Sequence, residues 1–202
     1  MPQQLMISIS GVHGVIGEGL TPEVVLAFAQ AYGTYCQGGR VVLGRDSRVS
    51  GPMLQHAVTA GLVAAGCEVV DIGIAPTPTT KIAVEKLHAA GGLVITASHN
   101  PVMWNGLKML AGDGLFLDEE QGKQVLAIRD AGAANIRNWD GLGKTTAYDK
   151  AIDNHLAAIY ALPFIDIEQI RRARFRVVAD CVNGAGGVIL KKLLEHLGCE
   201  FV

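Results

Sequence analysis

The sequence lacks several patterns that would assign it to common functional classes. Its four cysteines are widely spaced and form no C-x-x-C pair, so neither a disulfide framework nor a cysteine-ligated metal is expected. Neither G-x-G-x-x-G nor G-x-x-x-x-G-K-[ST] occurs, which argues against an ordinary nucleotide-binding α/β domain. No apolar run approaches the ~20 residues of a membrane span, and no basic N-terminal segment precedes an apolar one. We therefore expect a cytoplasmic protein with reduced thiols.

Charge is scarce as well. Charged residues make up 18% of the chain, and 17 Lys and Arg against 19 Asp and Glu leave a formal charge of −2. This balance gives no reason to expect nucleic acid or an anionic membrane as a partner, although a few cations can still hold a small anion. Half of the 202 residues are hydrophobic, which predicts a well-buried core in one generous domain or one domain and part of another.

Short apolar strands alternate with mostly apolar helices along the first part of the chain. Thr21 can cap the first helix and Pro22 suits its first turn, while Asp118 and Gln121 have the spacing of a capping box. The alternation predicts a three-layer α/β/α domain with a mixed, largely parallel sheet. The predicted strands are 40–44, 67–72 and 92–96. The predicted helices are 21–38, 51–65, one that follows the turn residues 75–78 and ends near 88, one starting at 118, and 147–161.

An internal repeat marks the start of a second unit. Residues 40–69 and 176–201 both read as a strand, a loop with Asp and Gly, an apolar helix, Gly-Cys-Glu and a second strand. We predict a first domain over 1–146, ending in a surface hairpin or loop, and a linker helix with an incomplete second α/β domain over 147–202. Because a lone β-α-β unit cannot bury both faces of its strands, we expect a fragment or self-association through this unit.

Four strand-end segments are unusually polar or rich in glycine, and strand ends are where open α/β sheets bind ligands. They are residues 10–14, 44–48, 96–101 and 105–108. In the third, Thr-Ala-Ser-His-Asn-Pro, the proline forces its predecessor out of the helical region, which would expose the Ser98 hydroxyl beside His99 and Asn100. A serine nucleophile needs activation by a base or a charged partner. From the residues alone, Ser and Asn side chains that close a turn are the favoured interpretation.

The segment 96–101, followed by Trp-Asn-Gly-Leu-Lys at 104–108, resembles the phosphoserine signature of the α-D-phosphohexomutases. These are the phosphoglucomutase, phosphomannomutase and phosphoglucosamine mutase group. The resemblance extends in the same order to 10–14, 44–51 and 180–186, and so covers essentially the whole chain as the N-terminal portion of such an enzyme. It implies that Ser98 carries a phosphoryl group, donates it to a hexose phosphate to form a bisphosphate, and recovers it from the other end of the sugar.

The resemblance also implies roles for neighbouring residues. Lys108 matches the active-site lysine, as a proton donor or a stabiliser of phosphate charge. For His99, positioning of the serine loop is favoured over a role as the main base. Mg²⁺ would bind through the phosphate on Ser98, with its remaining ligands beyond Val202.

A phosphate-loop set completes the expected site: Arg45, Asp46, Arg48, Asn100 and Asn105. For the two arginines, bracing of the loops through Asp46 is favoured over contact with phosphate, because an Arg-Asp-x-Arg cluster can satisfy its own hydrogen bonds.

Two departures limit what the resemblance implies. His13 stands where the family typically has an arginine, and a largely neutral imidazole without the guanidinium fork predicts weakened catalysis. The family's metal-binding loop, sugar-selecting loop and phosphate-clamping domain would lie beyond Val202, so the hexose is not identified and we expect no complete mutase cycle from this chain alone. The alternative is a non-catalytic sugar-phosphate-binding or regulatory remnant of the fold.

Overall fold

The computed structural model describes residues 5–9 and 11–202. The strands are β1 (Met6–Ser8), β2 (Gly11–Val15), β3 (Arg40–Arg45), β4 (Glu68–Ile74), β5 (Gly91–Ile95), β6 (Trp104–Ala111), β7 (Lys144–Ala147), β8 (Arg176–Val177) and β9 (Glu200–Phe201). The helices are α1 (Pro22–Tyr35), α2 (Gly51–Ala64), α3 (Thr77–Lys86), α4 (Glu119–Asp130), α5 (Ala151–Tyr160), α6 (Ile167–Ala173) and α7 (Gly186–His196). In this part of the chain, no helix has both the length and the apolar character needed to cross a bilayer.

Seven strands form one mixed sheet in the order β1-β2-β6-β5-β3-β4-β7. The block β5, β3, β4 and β7 is parallel throughout, β6 runs against β5, and β2 runs against β6. Five of the seven strands therefore point in one direction, and β6 and β1 point the other way. The predicted mixed, largely parallel sheet is confirmed.

Helices cover both faces of this sheet. Phe28 of α1, Leu62 of α2 and Val125 of α4 share one apolar cluster with the strands, whereas Val84 of α3 and Ala151 of α5 belong to a second cluster. Val41 belongs to the first cluster and its neighbour Val42 to the second. Since successive side chains of a strand point to opposite faces of the sheet, the two clusters lie on opposite faces. The three-layer α/β/α architecture is thus confirmed.

The repeat identified in the sequence has the same local structure in both copies. In the first copy β3 and β4 pair in parallel around α2, and in the second β8 and β9 pair in parallel around α7. The second sheet has two strands within the described residues. The short helix α6, which the apolar pattern does not reveal, begins where the Asp166 side chain accepts a hydrogen bond from the amide of Gln169.

Two segments predicted as strand-end loops are strands instead. Residues 11–15 form β2 and residues 105–108 lie inside β6, and these two strands pair with each other in antiparallel register, with His13 opposite Gly106. Their glycines suggest turns, but here they allow close contact between strands, since the backbone of β6 lies where a side chain at Gly11 would stand. Ser10, the first residue of the expected loop at 10–14, lies outside the described residues. The expected surface segment at 135–146 is a loop up to β7, which adds a parallel edge strand to the sheet.

The cysteine environments predict selective thiol reactivity. Burial raises the pKa of the Cys36 thiol to about 12 and that of Cys67 to about 11, so neither forms much of the reactive thiolate near neutral pH. Cys181 and Cys199 are partly exposed. A disulfide-exchange reagent at about pH 8 should label these two alone, and all four once the chain is unfolded. Peptide mapping that finds Cys36 or Cys67 labelled as fast as Cys181 in the folded chain would contradict this assignment.

Candidate active site

A cavity of about 570 Å³ opens where the parallel strands of the large sheet end, a volume suited to a small ligand. One wall is the segment 96–102 after β5, another is the loop 46–49 after β3, and a third is the start of α3. The loop 182–185 before α7 closes the remaining side. The lining residues are Asp46, Ser47, Arg48, Val49, Ala75, Pro76, Thr77, Val94, Thr96, Ser98, His99, Asn100, Val102, Val182, Asn183, Gly184 and Ala185.

Ser98 lies in the exposed turn after β5, on the wall of this cavity. Its φ is +55°, a left-handed conformation that a residue with a Cβ rarely adopts and that often marks a functional turn. The amide of Ser98 donates to the hydroxyl of Thr96 at 3.1 Å. Its own Oγ lies 3.4 Å from Nδ1 of His99, which is long for a hydrogen bond to an oxygen donor. The geometry thus presents the serine hydroxyl without a tightly bound base.

Asp46 connects the loop after β3 to the serine turn. Its carboxylate accepts from the amide of Arg48 at 3.0 Å and from Nε of the same residue at 3.1 Å. It also accepts from the hydroxyl of Thr96 at 2.8 Å. Because Thr96 in turn accepts from the amide of Ser98, one carboxylate is linked through a single hydroxyl to the backbone of the serine.

The Arg48 guanidinium spans the whole serine segment. Nη1 donates to the carbonyls of Pro101 at 2.8 Å and Trp104 at 3.1 Å. Nη2 donates to the carbonyls of Asn100 at 2.7 Å and Ser98 at 3.0 Å. Of the two roles left open for Arg48, the structure therefore shows the bracing contacts directly.

Lys108 and His13 lie on the cavity's side of the sheet, although neither lines the cavity wall. Lys108 is directly opposite Val94, a lining residue, and opposed residues of an antiparallel pair project from the same face. His13 is opposite Gly106, two positions from Lys108 on the same strand, and so shares this face. The ammonium of Lys108 is 5.7 Å from the ring centre of Phe116.

The other two predicted site residues face elsewhere. Arg45 donates through Nε to Gln55 of α2 at 2.8 Å and through Nη1 to the carbonyl of Asp46 at 3.1 Å. Asn105 is fully buried, and its amide donates to the Ser50 hydroxyl at 2.9 Å, at the start of α2. Both residues connect the sheet to α2, and neither is part of the cavity lining.

Burial and charge determine the electrostatics of this region. Burial, and then the positive charge of Lys108, lower the pKa of His13 below 6.5, so its imidazole is neutral at pH 7. The charged pair in the lining, Asp46 and Arg48, is mutually compensated. Positive potential for an anion comes instead from Lys108 nearby and from the N-termini of α3 and α7, which reach the cavity at Thr77 and Ala185 without a side-chain cap.

Thr96, Ser47 and Asn183 lie in segments that the sequence singles out, but they are not among the predicted site residues. Thr96 bridges Asp46 and the serine turn, and its position at the end of an otherwise apolar strand was the available signal. Ser47 donates to the carbonyl of Asn183 at 2.6 Å, which closes the cavity between the two repeated units. That contact joins residues 136 positions apart, and no local pattern encodes it.

The described residues around Ser98 provide too few ligands for the expected Mg²⁺. Among the residues that the structure describes, no three His, Cys, Asp or Glu side chains come together as a metal site. Of the described residues that line the cavity, only Asp46 has a carboxylate, and this carboxylate is engaged by Arg48 and Thr96. Since Mg²⁺ prefers several oxygen ligands in octahedral geometry, these residues alone do not form its site.

Comparison with known proteins gives consistent matches over this chain. A family model described as phosphoglucomutase/phosphomannomutase, alpha/beta/alpha domain I, matches residues 6–135. A phosphoglucomutase/phosphomannomutase from Thermococcus kodakarensis is 41% identical over 197 residues, covering 95% of this chain and 42% of the relative. A probable phosphoglucosamine mutase from Methanopyrus kandleri is 40% identical over 195 residues, covering 96% of this chain and 41% of the relative.

A solved structure supports the fold. The crystal structure of a putative phosphomannomutase from Thermus thermophilus matches with a TM-score of 0.83 and 28% identity, covering all of this chain and 46% of that one. The chain thus spans about two fifths of the length of the curated relatives it matches.

Proposed function

Because this chain belongs to the phosphoglucomutase/phosphomannomutase family, the α-D-phosphohexomutases, we propose that it is the part of a hexose-phosphate mutase that carries the phosphoryl group. Ser98 holds this group as a phosphoserine. The complete protein interconverts hexose 1-phosphate and hexose 6-phosphate through a hexose bisphosphate. The observation that carries the proposal is the exposed Ser98 turn, held at φ +55° on the wall of a ligand-sized cavity at the strand ends.

Each half of the reaction is a phosphoryl transfer. The bond between phosphorus and Ser98 Oγ breaks as a bond forms to the free hydroxyl oxygen of the sugar phosphate, and the hydroxyl proton passes to a base. After the bisphosphate turns over, the other phosphoryl group returns to Ser98 Oγ, and its leaving sugar oxygen takes up a proton. We assign to Lys108, which projects from the same face of the sheet as the cavity-lining Val94, the role of stabilising the transferring charge or supplying that proton.

The local fields favour a phosphoserine here. A phosphoserine carries about −1.5 to −2 charges at pH 7. The uncapped N-termini of α3 and α7 and the Lys108 ammonium oppose that charge. The carboxylate of Asp46 forms an ion pair with Arg48 and accepts from the Thr96 hydroxyl. These contacts offset its negative charge and so reduce its repulsion of the phosphate.

In this function Mg²⁺ would bind to the protein through the phosphate on Ser98. When bound, it would supply charge neutralisation during transfer. The described residues do not complete its coordination, so its other ligands would come from further chain.

We further propose that residues 1–146 form domain I and residues 147–202 a linker helix and part of a similar domain II, in a cytoplasmic protein. The contact between Ser47 and Asn183 then joins the two domains beside the phosphoserine. On this assignment the isolated chain completes no catalytic cycle.

A coupled assay tests the function. Glucose, mannose and glucosamine phosphates would be supplied to this chain and to a chain extended to the length of its relatives, and Ser98 would be examined by peptide mass spectrometry. We expect turnover in the extended protein alone, with phosphate on Ser98. Turnover by the 202-residue chain would contradict its incompleteness. Sugar-phosphate binding by the extended protein without turnover or phosphoserine would instead support the second candidate, a non-catalytic remnant, which the neutral His13 favours.

A further inference from the structure

We propose that Arg48 is a positioning residue that fixes the turn carrying Ser98, and that its guanidinium is not a ligand for phosphate. The inference rests on the proposed function of Ser98, which it deepens. A guanidinium has five N–H donors. Nε–H of Arg48 is used by Asp46, and the four N–H groups on Nη1 and Nη2 are used by four backbone carbonyls of the serine segment.

No donor of Arg48 is therefore left for a ligand. All five contacts fall between 2.7 and 3.1 Å, the normal range for N–H···O bonds. The side chain is 13% exposed and forms an ion pair with Asp46, so it is largely buried and already neutralised. A phosphate could recruit Arg48 only by displacing carbonyls from its donors; of the four, the Pro101 carbonyl also accepts from the amide of Trp104 at 3.0 Å.

The contacts also explain how Ser98 keeps its left-handed conformation. Arg48 holds the carbonyl of Ser98, while Thr96 holds its amide. Both sides of the residue are thus fixed, and both fixing groups are connected to Asp46. A strained φ persists when the surrounding structure over-determines it, and this network provides that determination.

A planar fork is needed for this arrangement. The four carbonyls belong to Ser98, Asn100, Pro101 and Trp104, spread over the whole turn. Lysine keeps the charge but offers its three donors from one atom, which cannot reach acceptors on two sides of the turn. Arg48→Lys therefore separates the loss of geometry from the loss of charge.

The test compares wild type, Arg48→Lys, Arg48→Ala and the control Arg40→Lys. Arg40 lies at the opposite end of β3, where it pairs with Glu68 on the surface. NMR on the full chain gives amide exchange rates across 98–104 and the HN–Hα coupling of Ser98, which reports φ. Both Arg48 variants should exchange at least about tenfold faster in this segment and lose the left-handed coupling, whereas Arg40→Lys should match wild type. Unchanged loop exchange and coupling in Arg48→Lys would overturn the proposal.

A second readout separates positioning from phosphate binding. Mass spectrometry follows phosphoryl uptake by Ser98 from a hexose 1,6-bisphosphate, in wild type and Arg48→Lys of the protein extended to the length of its relatives. We expect Arg48→Lys to lower the maximal rate by about 100-fold, as misplacement of a reacting group does, with the half-saturating concentration of bisphosphate unchanged. A raised half-saturating concentration at an unchanged maximal rate would identify Arg48 as a phosphate ligand. Absence of uptake in wild type would count against the proposed function, while the amide exchange still decides the role of Arg48.

A phosphate titration of the wild type tests the same proposal without any variant, and so remains informative if the Arg48 variants do not fold. Inorganic phosphate is titrated into chain labelled with ¹⁵N-arginine, and the side-chain N–H signals of Arg48 are followed. Signals that stay in place at saturating phosphate support a guanidinium whose donors are fully used. Signals that shift with the binding curve would overturn the proposal.

Discussion

Ser98→Ala is expected to lower hexose-phosphate turnover by about 10⁴-fold or more in the protein extended to the length of its relatives. The variant removes the oxygen that accepts and returns the phosphoryl group, and the described residues around it offer no substitute. His99 is 3.4 Å away and Asp46 is paired with Arg48, so neither is arranged to take over the transfer. The measurement is the coupled mutase assay together with the mass of the peptide that contains residue 98.

Ser98→Gly is the matched partner of this variant. Glycine adopts φ +55° without the Cβ penalty, whereas alanine keeps that penalty and loses the hydroxyl. Both variants should be equally inactive, although the glycine variant should be more stable to unfolding by about 1 kcal/mol. Thr145→Ala, which removes a hydroxyl from the exposed edge strand β7, should retain full activity. More than a tenth of wild-type turnover in Ser98→Gly would exclude the serine as the phosphoryl carrier.

The elements with a strong local signal could be predicted from the sequence. Thr21 caps α1 through a contact with the amide of Val24, and Asp118 with Gln121 forms the expected capping box of α4. These signals act over three or four residues, and a periodic apolar pattern follows each of them. The serine turn was likewise predictable, because Pro101 and the polar run before it end a strand of five buried residues.

The remaining features depend on contacts that are distant in sequence. β2 has the sequence of a glycine loop because its strand character comes from pairing with β6, about 90 residues later. The same holds for Arg48, whose donor pattern depends on the path of a turn that starts 50 residues further on. The Arg-Asp-x-Arg motif predicts an ion pair, but the four carbonyl contacts become visible only once the turn is folded.

His13→Arg is expected to raise turnover of the extended protein by about tenfold or more, since a donor aimed at developing charge contributes up to about 10²–10³-fold. His13 lies on the face that carries Lys108, and its lowered pKa leaves it neutral at pH 7. Arginine would bring a charge at every working pH and two parallel donors. His56→Arg, the same change on an exposed position of α2, is the control and should leave turnover unchanged.

Room for the longer side chain comes from Gly106. The ring of His13 lies over this glycine so closely that an added Cβ would be 2.4 Å from the ring carbon Cδ2. An arginine can use the same space and extend past the ring position, at the cost of a second cation beside Lys108. That repulsion should lower the free energy of unfolding of the variant by about 1 kcal/mol in the absence of ligand.

The pH dependence distinguishes charge at position 13 from a packing effect. Because burial and Lys108 lower the pKa of His13, its imidazolium forms only as the pH falls below 6.5. If positive charge at position 13 assists transfer, wild-type turnover should rise as the pH falls below 6.5 and His13 becomes protonated. Turnover of His13→Arg should not show this rise, because the arginine is charged throughout. His13→Gln, neutral at every pH, should lack the rise as well and stay at the low plateau. A rise that persists in both variants would assign the titration to another group, and no gain from the arginine at pH 7 would show that the histidine does not limit the rate.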